Sequence, residues 1–239
     1  FLQSAAGRSN YLLVFIDSTG RTYTLPAHRL PSARGHGEPL SSQLSPPDGS
    51  HFCGVMLGKE EDRFLLYTSA GYGFVTRLGD LQSKNRKGKA VLKVTTGAEV
   101  MPPLRIAQPD ADWLALAGSN GHFLVYGVDE LPQMSRGKGV KLINIPTAKF
   151  AAGEEKLAAA AVFSEGAEVL VHAGKRYRRI KSAAHKVCGV DKMQSSPVSV
   201  MRFYQPMVRR NKACVANAID NAIRAKLIVR ARDQRRCLA

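Results

Sequence analysis

Three short glycine-containing loops carry the residues of this sequence that are best suited to chemistry. They are loop 1 (residues 32–37, SARGHG), loop 2 (84–89, KNRKGK) and loop 3 (135–139, SRGKG). The loops recur in step, because Gly37, Gly88 and Gly139 are each 51 residues apart. Glycine lets backbone N–H groups approach a phosphate closely, and a neighbouring Arg or Lys neutralises its charge. The spacing therefore predicts phosphate recognition by equivalent loops.

The charge of the 239-residue chain also points to an anionic partner. Its 35 Lys+Arg and 19 Asp+Glu give a net charge of +16. A surplus of this size is typical of proteins that bind nucleic acid. An acidic membrane surface is the other candidate, but it favours an amphipathic basic helix, and residues 1–181 show none. No apolar run approaches the roughly 20 residues of a membrane span, so no membrane insertion is expected.

Other chemistry finds little support in the sequence. Each basic loop on its own is typical of a solvated turn, and none matches the phosphate-loop pattern G-x-x-x-x-G-K-[ST]. His36 and His122 have no second His or Cys at ligand spacing, so we interpret them as turn residues. The four cysteines form no C-x-x-C pair, which argues against zinc and fits a reducing cytoplasm. No nucleophile–base constellation is present, so no catalytic residue, metal or cofactor is predicted in this chain.

Four hairpin signals must position the loops. Each is an apolar or aromatic strand, a glycine turn that needs a positive φ, and a second strand. The turn glycines are spaced 51, 50 and 53 residues apart: Gly20, Gly71, Gly121 and Gly174. A second landmark follows at spacings of 51 and 50: Leu30, Leu81 and Leu131.

A unit of about fifty residues with about four strands is typical of a propeller-type blade. One blade cannot bury both of its faces, so we expect the blades to stack. The sequence thus predicts an all-β fold. It does not fix the number of blades that close into a ring. The predicted units are about 11–62, 63–112, 113–167 and a partial 168–181. The one segment of helical composition, Ala148 to Ala161, is interpreted as a short helix inserted between blades.

Stacked blades would bring equivalent loops together as a cationic band along a rim, which suits a curved polyanion. Nothing in the loops reads base edges, so preferred sites would depend on DNA bendability. The predicted DNA-binding residues are Arg21, Arg34, Arg77, Lys84, Arg86, Lys87, Lys89, Arg136, Lys138, Lys141, Lys175 and Arg176.

With these features the chain resembles the C-terminal domain of ParC, the A subunit of bacterial DNA topoisomerase IV, within the GyrA/ParC family of type IIA topoisomerases. The resemblance covers about residues 1–181. The stretches that carry it are VFIDSTGRTY from Val14, LPSARGHGEPL from Leu30, SAGYGF from Ser69, NRKGKAVL from Asn85, VMPPLRI from Val100, DELPQMSRGKGVKLINIP from Asp129 and VHAGKR from Val171.

The resemblance implies a β-pinwheel, a propeller-like disc whose four-stranded blades exchange strands, and it implies DNA bending. For the intact isomerase, the resemblance implies a heterotetramer that contains two A subunits and the ATPase subunit ParE. With ATP and Mg, that enzyme relaxes supercoils and decatenates chromosomes in the cytoplasm, in association with the chromosome. The active-site tyrosine belongs to another domain, and Tyr23, Tyr72 and Tyr126 do not match its motif. The chain does not begin with Met, so we expect it to be a non-catalytic piece of a longer protein.

Two alternatives remain open on the residues alone. One is the wrapping domain of the gyrase A protein, whose hallmark box is of the Q-R-R-G-G-K-G type. The loops here are degenerate relative to that box, which implies weaker wrapping. The other is a propeller that acts as a protein-interaction scaffold. Aromatic hot spots would favour a scaffold, whereas in-phase basic loops favour DNA.

Residues 182–239 depart from the family pattern. They hold 12 Lys+Arg and 3 Asp+Glu, or +9, which leaves +7 on residues 1–181. The abrupt change predicts either an out-of-frame translation or fusion artefact, or a genuine divergent basic tail that is irregular, disordered or helical. In the second case Ala213 to Arg232 is expected to form an amphipathic basic helix, and the coding DNA would distinguish the two.

Overall fold

The computed structural model describes residues 3, 5, 7–31, 38–164, 167–173, 176–181 and 226–230. The chain divides into two compact units, Phe1–Ala107 with Leu131–Leu142, and Gln108–Glu130 with Ile143–Ala239. Antiparallel β-sheet dominates both units, which confirms the predicted all-β fold.

The strands are numbered along the chain. They are β1 (Leu12–Asp17), β2 (Arg21–Pro26), β3 (Phe52–Gly58), β4 (Arg63–Tyr67), β5 (Tyr72–Arg77), β6 (Lys89–Ala90), β7 (Leu104–Ile106), β8 (Trp113–Gly118), β9 (Phe123–Gly127), β10 (Val140–Lys141), β11 (Leu157–Phe163), β12 (Glu168–Ala173), β13 (Arg176–Lys181) and β14 (Lys226–Arg230). Short 3₁₀ helices lie between strands, at Ala27–Arg29, Leu40–Ser42, Gly79–Leu81 and Val128–Glu130.

The first unit is built from β1 to β7 together with β10. These strands form two four-stranded sheets, ordered β3-β1-β2-β6 and β10-β5-β4-β7. In each sheet a hairpin forms the centre, β1 with β2 and β4 with β5. The four-stranded blade that the repeat predicts is thus confirmed twice in this unit.

Strand exchange joins each of these sheets to a later repeat. The last strand of each sheet has only two residues and comes directly from a basic loop one repeat further along the chain. Arg21 and Thr22 pair with Ala90 and Lys89, and Gly73 pairs with Val140. This is the exchange expected of a β-pinwheel, and it fixes loops 2 and 3 against the start of β2 and β5.

The apolar faces of the two sheets share a core. Its largest fully buried members include Ile16, Met56, Leu66 and Phe74. A smaller cluster forms around Tyr23 of β2. Burial of these side chains is the main stabilising contribution to the unit. It holds β2 and β5, the strands that carry the loops, in place.

The second unit contains β8, β9 and β11 to β14. Its sheets are ordered β11-β8-β9 and β13-β12-β14. The predicted domain boundaries, 1–181 and 182–239, stay a prediction.

Two helix predictions in this unit were wrong in part. The segment Ala148 to Ala161 is helical only in α1 (Thr147–Ala151), whereas β11 begins at Leu157 with alternating burial. Alanine favours helices, but pairing with β8 outweighs that weak preference. In the tail, the described part of the predicted helix Ala213 to Arg232 is β14, which pairs with β12. The rest of the tail lies outside the described residues.

Each described hairpin turn is closed in the same way. Gly20, Gly71 and Gly121 have φ of 81°, 79° and 82°, and each N–H donates to the carbonyl three residues earlier. The predicted turn glycines are therefore confirmed at these three positions, while Gly174 lies outside the described residues. The leucine landmark is less regular, because Leu81 is fully buried and Leu30 is 42% exposed.

A serine two residues before each of these glycines joins the turn to the outer strand. The Ser18, Ser69 and Ser119 N–H groups donate to the carbonyls of His51, Glu99 and Lys156. In return, each serine Oγ accepts the N–H of the same partner, at 3.2, 2.9 and 2.9 Å. This reciprocal pair of hydrogen bonds is a repeated feature that the sequence analysis missed.

Candidate nucleic-acid interface

Loop 2 lies along β2 and is held there by side chains of that strand. The Ser83 N–H donates to Thr24 Oγ1 at 2.9 Å, and Thr22 Oγ1 donates to the Leu81 carbonyl at 2.8 Å. Threonine is favoured in strands, and here its hydroxyls bond to the backbone that leads into the loop. The strand therefore sets the path of the loop before any of the loop's own side chains contribute.

Gly88 allows loop 2 to pass directly over a buried tyrosine. Its φ is 70°, and a Cβ at this position would lie 2.6 Å from Cε1 of Tyr23. The Tyr23 hydroxyl donates to Asp17 Oδ2 at 2.7 Å, which fixes the ring. Burial, together with this hydrogen bond to Asp17, raises the pKa of Tyr23 above its ordinary value, so the hydroxyl stays a donor. Only glycine meets both the positive φ and the close approach of the ring.

The cationic side chains of loop 2 face solvent. Lys84, Arg86 and Lys87 are exposed, and none of them takes part in the ion pairs found between described residues. Lys89 is exposed too, although its Nζ donates to the Asp80 carbonyl at 2.7 Å. Within the described residues, loop 2 thus presents several cations without a carboxylate to neutralise them.

Arg21, predicted to bind DNA, makes contacts within the protein. It is half-buried at the start of β2, and its Nη1 donates to the carbonyls of Lys87 at 3.2 Å and Gly88 at 3.4 Å. The guanidinium is therefore turned toward the loop 2 backbone.

Loop 3 packs on the start of β5 in the way that loop 2 packs on β2. Gly139 has a φ of 79°, and a Cβ there would overlap the Gly73 carbonyl. The next residues form β10, in which Lys141 pairs with Tyr72. The close approach to Gly73 explains why position 139 is glycine, whereas a Cβ at Gly73 would meet the Leu66 carbonyl and the Tyr67 side chain.

The side chains of loop 3 differ in their surroundings. Arg136 and Lys141 are exposed, whereas Lys138 is half-buried. The Lys138 ammonium lies 3.7 Å from the centre of the Tyr72 ring, which is the geometry of a cation–π interaction.

Loops 2 and 3 meet through their backbones. The Gly137 N–H donates to the Val91 carbonyl, and the Lys93 N–H donates to the Gly137 carbonyl, both at 2.8 Å. Leu92 and Gly137 thereby form a parallel bridge. The residue at the centre of loop 3 is joined to the chain just after loop 2, so the two loops are neighbours.

The joined segments form one strongly basic surface, which we call the loop 2–loop 3 surface. Residues 84–93 and 135–141 contain eight Lys or Arg and no Asp or Glu. Since paired strands lie about 4.8 Å apart, the backbones at the junction, which carry Lys93 on one side and Arg136 on the other, are close to one another. Mutual repulsion of such charges favours an anionic ligand.

A comparison with solved structures identifies the family. The structure of the Escherichia coli ParC C-terminal domain matches with a TM-score of 0.70 and 40% identity, over 76% of this chain and 73% of that one. The chain belongs to the family of ParC C-terminal domains of topoisomerase IV.

Curated relatives of the ParC family agree. The A subunit of DNA topoisomerase 4 from Pseudomonas aeruginosa is 48% identical over 181 residues, and that from Escherichia coli K12 is 40% identical. Each alignment covers 76% of this chain and 24% of the relative. The chain thus spans about a quarter of the length of these ParC relatives.

Similarity to gyrase is present but weaker. The family model described as DNA gyrase C-terminal domain, beta-propeller, matches residues 62–106 and 112–164. A structure of the DNA gyrase A C-terminal domain matches with a TM-score of 0.55 at 14% identity, and one of the C-terminal domain of DNA topoisomerase IV with 0.58 at 15%. These two show the fold alone, so the ParC assignment is the better supported.

The other predicted residues of this ParC-family chain lie outside residues 84–93 and 135–141. Arg77 is exposed at the end of β5, two residues beyond Val75, which pairs with Gln133 just before loop 3. Arg176 begins β13 in the second unit. Loop 1 with Arg34, and also Lys175, lie outside the described residues.

One cation of the surface was missed by the sequence analysis. Lys93 is exposed and bonds through its N–H to Gly137. It does not recur at the repeat spacing, because Asn144 stands 51 residues later. Only the pairing between Leu92 and Gly137 reveals that Lys93 lies beside loop 3.

Two other kinds of site find no support among the described residues. No group of three His, Cys, Asp or Glu side chains among them is placed to hold a metal ion. No helix in the same part of the chain is long and apolar enough to cross a membrane.

Proposed function

We propose that this chain binds double-stranded DNA through its phosphates, along the loop 2–loop 3 surface. The observation that supports the proposal is the backbone junction at Gly137, which joins two basic loops whose segments contain no Asp or Glu. Phosphate contacts of this kind position a duplex without reading its sequence. Bending of the duplex along the surface follows as part of the proposal, and DNA deformability then sets which sequences bind best.

The proposed DNA contacts come from exposed or half-buried cations of the two loops and their junction. They are Lys84, Arg86, Lys87, Lys89, Lys93, Arg136, Lys138 and Lys141. By repeat equivalence, Arg34 of loop 1 remains a predicted contact, as do Lys175 and Arg176 of the fourth repeat. Arg77 also remains a predicted contact, because Val75, two residues before it on β5, bonds to Met134 at the entrance of loop 3.

The role of the whole protein is a further part of the proposal, since this chain spans only about a quarter of its relatives. We propose that it belongs to the ParC protein of a type II topoisomerase, which assembles with ParE and with a second copy of itself. That enzyme would use ATP and Mg to relax supercoils and decatenate chromosomes. Its place would be the cytoplasm, in association with the chromosome.

Charge reversal of the surface tests the proposal. The variant Arg86→Glu/Lys87→Glu/Arg136→Glu changes three exposed side chains in both loops. We expect its affinity for short duplexes of two unrelated sequences to fall at least about tenfold, and equally for both, because phosphate attraction is lost regardless of sequence. Fluorescence anisotropy on the full chain at fixed salt measures the affinity.

A matched control carries the same change in charge elsewhere in the first unit. Arg8, Arg29 and Lys59 are exposed and lie near the end of the first sheet opposite its hairpin turn. Their triple change to Glu should lower affinity by only about two- to threefold, through long-range electrostatics alone. Equal losses in the two variants, or a loss for one DNA sequence only, would refute the assignment of the surface.

A further inference from the structure

The residue that follows the turn glycine contacts the basic loop one repeat later in both sheets of the first unit. Arg21 follows Gly20 and donates to the carbonyls of Lys87 and Gly88. Tyr72 follows Gly71, and its ring lies under the ammonium of Lys138. Arg21 and Tyr72 are 51 residues apart, as are Lys87 and Lys138. One contact position is therefore used twice, with two different chemistries.

We infer that Arg21 and Tyr72 are positioning residues, which hold loops 2 and 3 for DNA and act through those loops without contacting phosphate themselves. The inference rests on the proposed DNA-binding function. It gives Arg21 a different role from the phosphate ligand predicted from sequence, and it gives Tyr72 a role that the sequence analysis did not foresee.

Arg21 acts on the backbone of loop 2. A single nitrogen, Nη1, donates to two successive carbonyls, at 3.2 and 3.4 Å. Carbonyl oxygens that face the guanidinium are kept from the DNA side, where they would repel phosphate. Lysine carries the same charge, but its flexible ammonium does not reproduce the planar donor geometry of arginine. The guanidinium is thus suited to fixing the loop, and it is half-buried where it does so.

Tyr72 acts on a side chain of loop 3. The negative face of an aromatic ring attracts an ammonium, and Lys138 Nζ lies 3.7 Å from the ring centre. A lysine held in this way has lost much of its rotamer freedom before DNA arrives. Less entropy is then lost on binding, so the same phosphate contact gives a higher affinity.

Tyr72 is tested by a double-mutant cycle with Lys138, read out as DNA affinity of the full chain. Tyr72→Leu should weaken binding about two- to fivefold, the range expected for an exposed cation–π contact. Tyr72→Phe should bind like wild type, because the ring is retained. In the background of Lys138→Ala, Tyr72→Leu should have no further effect. Additive losses would overturn the inference, as would a loss in Tyr72→Phe, which would indicate a phosphate contact by the hydroxyl.

Arg21 is tested by two substitutions that separate charge from geometry. A positioning role predicts that Arg21→Lys and Arg21→Gln both lower affinity to a similar degree, with the salt slope unchanged. A phosphate ligand predicts that Arg21→Lys stays near wild type, while Arg21→Gln lowers the magnitude of the slope by about 0.9. The second pattern would overturn the inference.

These tests remain distinct from the test of DNA binding itself. Failure of the proposed function appears in the wild-type chain and in the Arg86/Lys87/Arg136 variant, before Arg21 or Tyr72 is changed. The Tyr72–Lys138 contact also has a readout without DNA: the ring shifts the NMR signals of the Lys138 Hε protons upfield, and this shift should persist in Tyr72→Phe and vanish in Tyr72→Leu. Thermal unfolding of each variant shows whether it is folded. If Tyr72→Leu or Arg21→Gln unfolds the chain, the conservative variants Tyr72→Phe and Arg21→Lys are compared with wild type for DNA affinity.

Discussion

At the scale of single residues, glycines with the same backbone conformation have different neighbours. Gly20 has a φ of 81° and a Cβ there would overlap the Leu92 carbonyl. Gly97 has a φ of 77°, and a Cβ would meet nothing within 4 Å. The carbonyl of Gly20 also accepts the N–H groups of Val91 and Leu92, which follow loop 2. Gly20 is thus required both by its turn and by the close approach of the exchanged segment.

Gly20→Ala should therefore destabilise the first unit more than Gly97→Ala. Both substitutions place a Cβ at positive φ, at a cost of about 1–2 kcal/mol. Only Gly20→Ala also displaces backbone, which adds about 1–3 kcal/mol. Urea unfolding of the two variants measures the difference. Equal losses would show that the exchanged segment does not pack against the turn.

Buried tyrosines make the stability of the first unit sensitive to alkaline pH. Burial raises the pKa of Tyr67, and burial with the hydrogen bond to Asp17 raises that of Tyr23, both above the unfolded value of about 10. The stabilising contribution is present below pH of about 10 and is lost above it, because the unfolded chain then releases protons that the folded chain retains. We expect a slope of about 1.4 kcal/mol per pH unit for each such tyrosine.

Tyr67→Phe should reduce the pH slope of the free energy of unfolding by the contribution of one tyrosine. Urea unfolding from neutral pH to about pH 11 measures this slope, and the difference should show above the pKa of an unfolded tyrosine, about 10. A pH profile that Tyr67→Phe leaves unchanged would contradict the assignment.

At the scale of elements, the serine that precedes each turn ties the hairpin to its outer strand. Ser69 is 3% exposed, and its Oγ accepts the Glu99 N–H. Ser69→Ala should cost about 1–2 kcal/mol, because it leaves that N–H without a partner. Ser135→Ala, at an exposed position of loop 3, is the control and should change stability by less than about 0.5 kcal/mol. Urea unfolding compares them, and similar stabilities would count against the serine link.

The hairpins could be predicted from sequence, whereas the exchanged strands could not. Glycine at Gly20, Gly71 and Gly121 has a local cause, the positive φ of a tight turn. The exchanged strands β6 and β10 have two residues each, too few for an alternating pattern. For β11, an alanine-rich composition favoured a helix, but the partner strand decided the structure.

The candidate site shows the same division between local and long-range causes. Repeat spacing grouped loops 2 and 3, and the structure joins their backbones at Gly137. The spacing did not reveal that Lys93 lies beside Gly137, that Arg21 is turned to the loop backbone, or that the segment before loop 3 runs beside Val75. Each of these depends on pairing between segments that are distant in the sequence.

At the scale of the whole molecule, positive charge is unevenly distributed, with +9 on residues 182–239 and +7 on residues 1–181. Residues 84–93 and 135–141 hold eight of the 35 Lys and Arg residues and no Asp or Glu. DNA binding along these segments predicts that fewer counterions are released when their cations are neutralised. The dependence of DNA affinity on salt concentration measures the number of phosphate contacts. It therefore separates direct contacts from long-range electrostatic attraction.

The most direct test is the slope of log affinity against log salt for duplex DNA, measured on the full chain and on two neutralised variants. Arg86→Gln/Lys87→Gln/Arg136→Gln should lower the magnitude of the slope by about 2–3, since each lost phosphate contact removes about 0.9. Arg8→Gln/Arg29→Gln/Lys59→Gln, with the same loss of charge, should lower it by less than about 1. A slope that changes equally in both variants, or in neither, would contradict DNA binding by the joined loops.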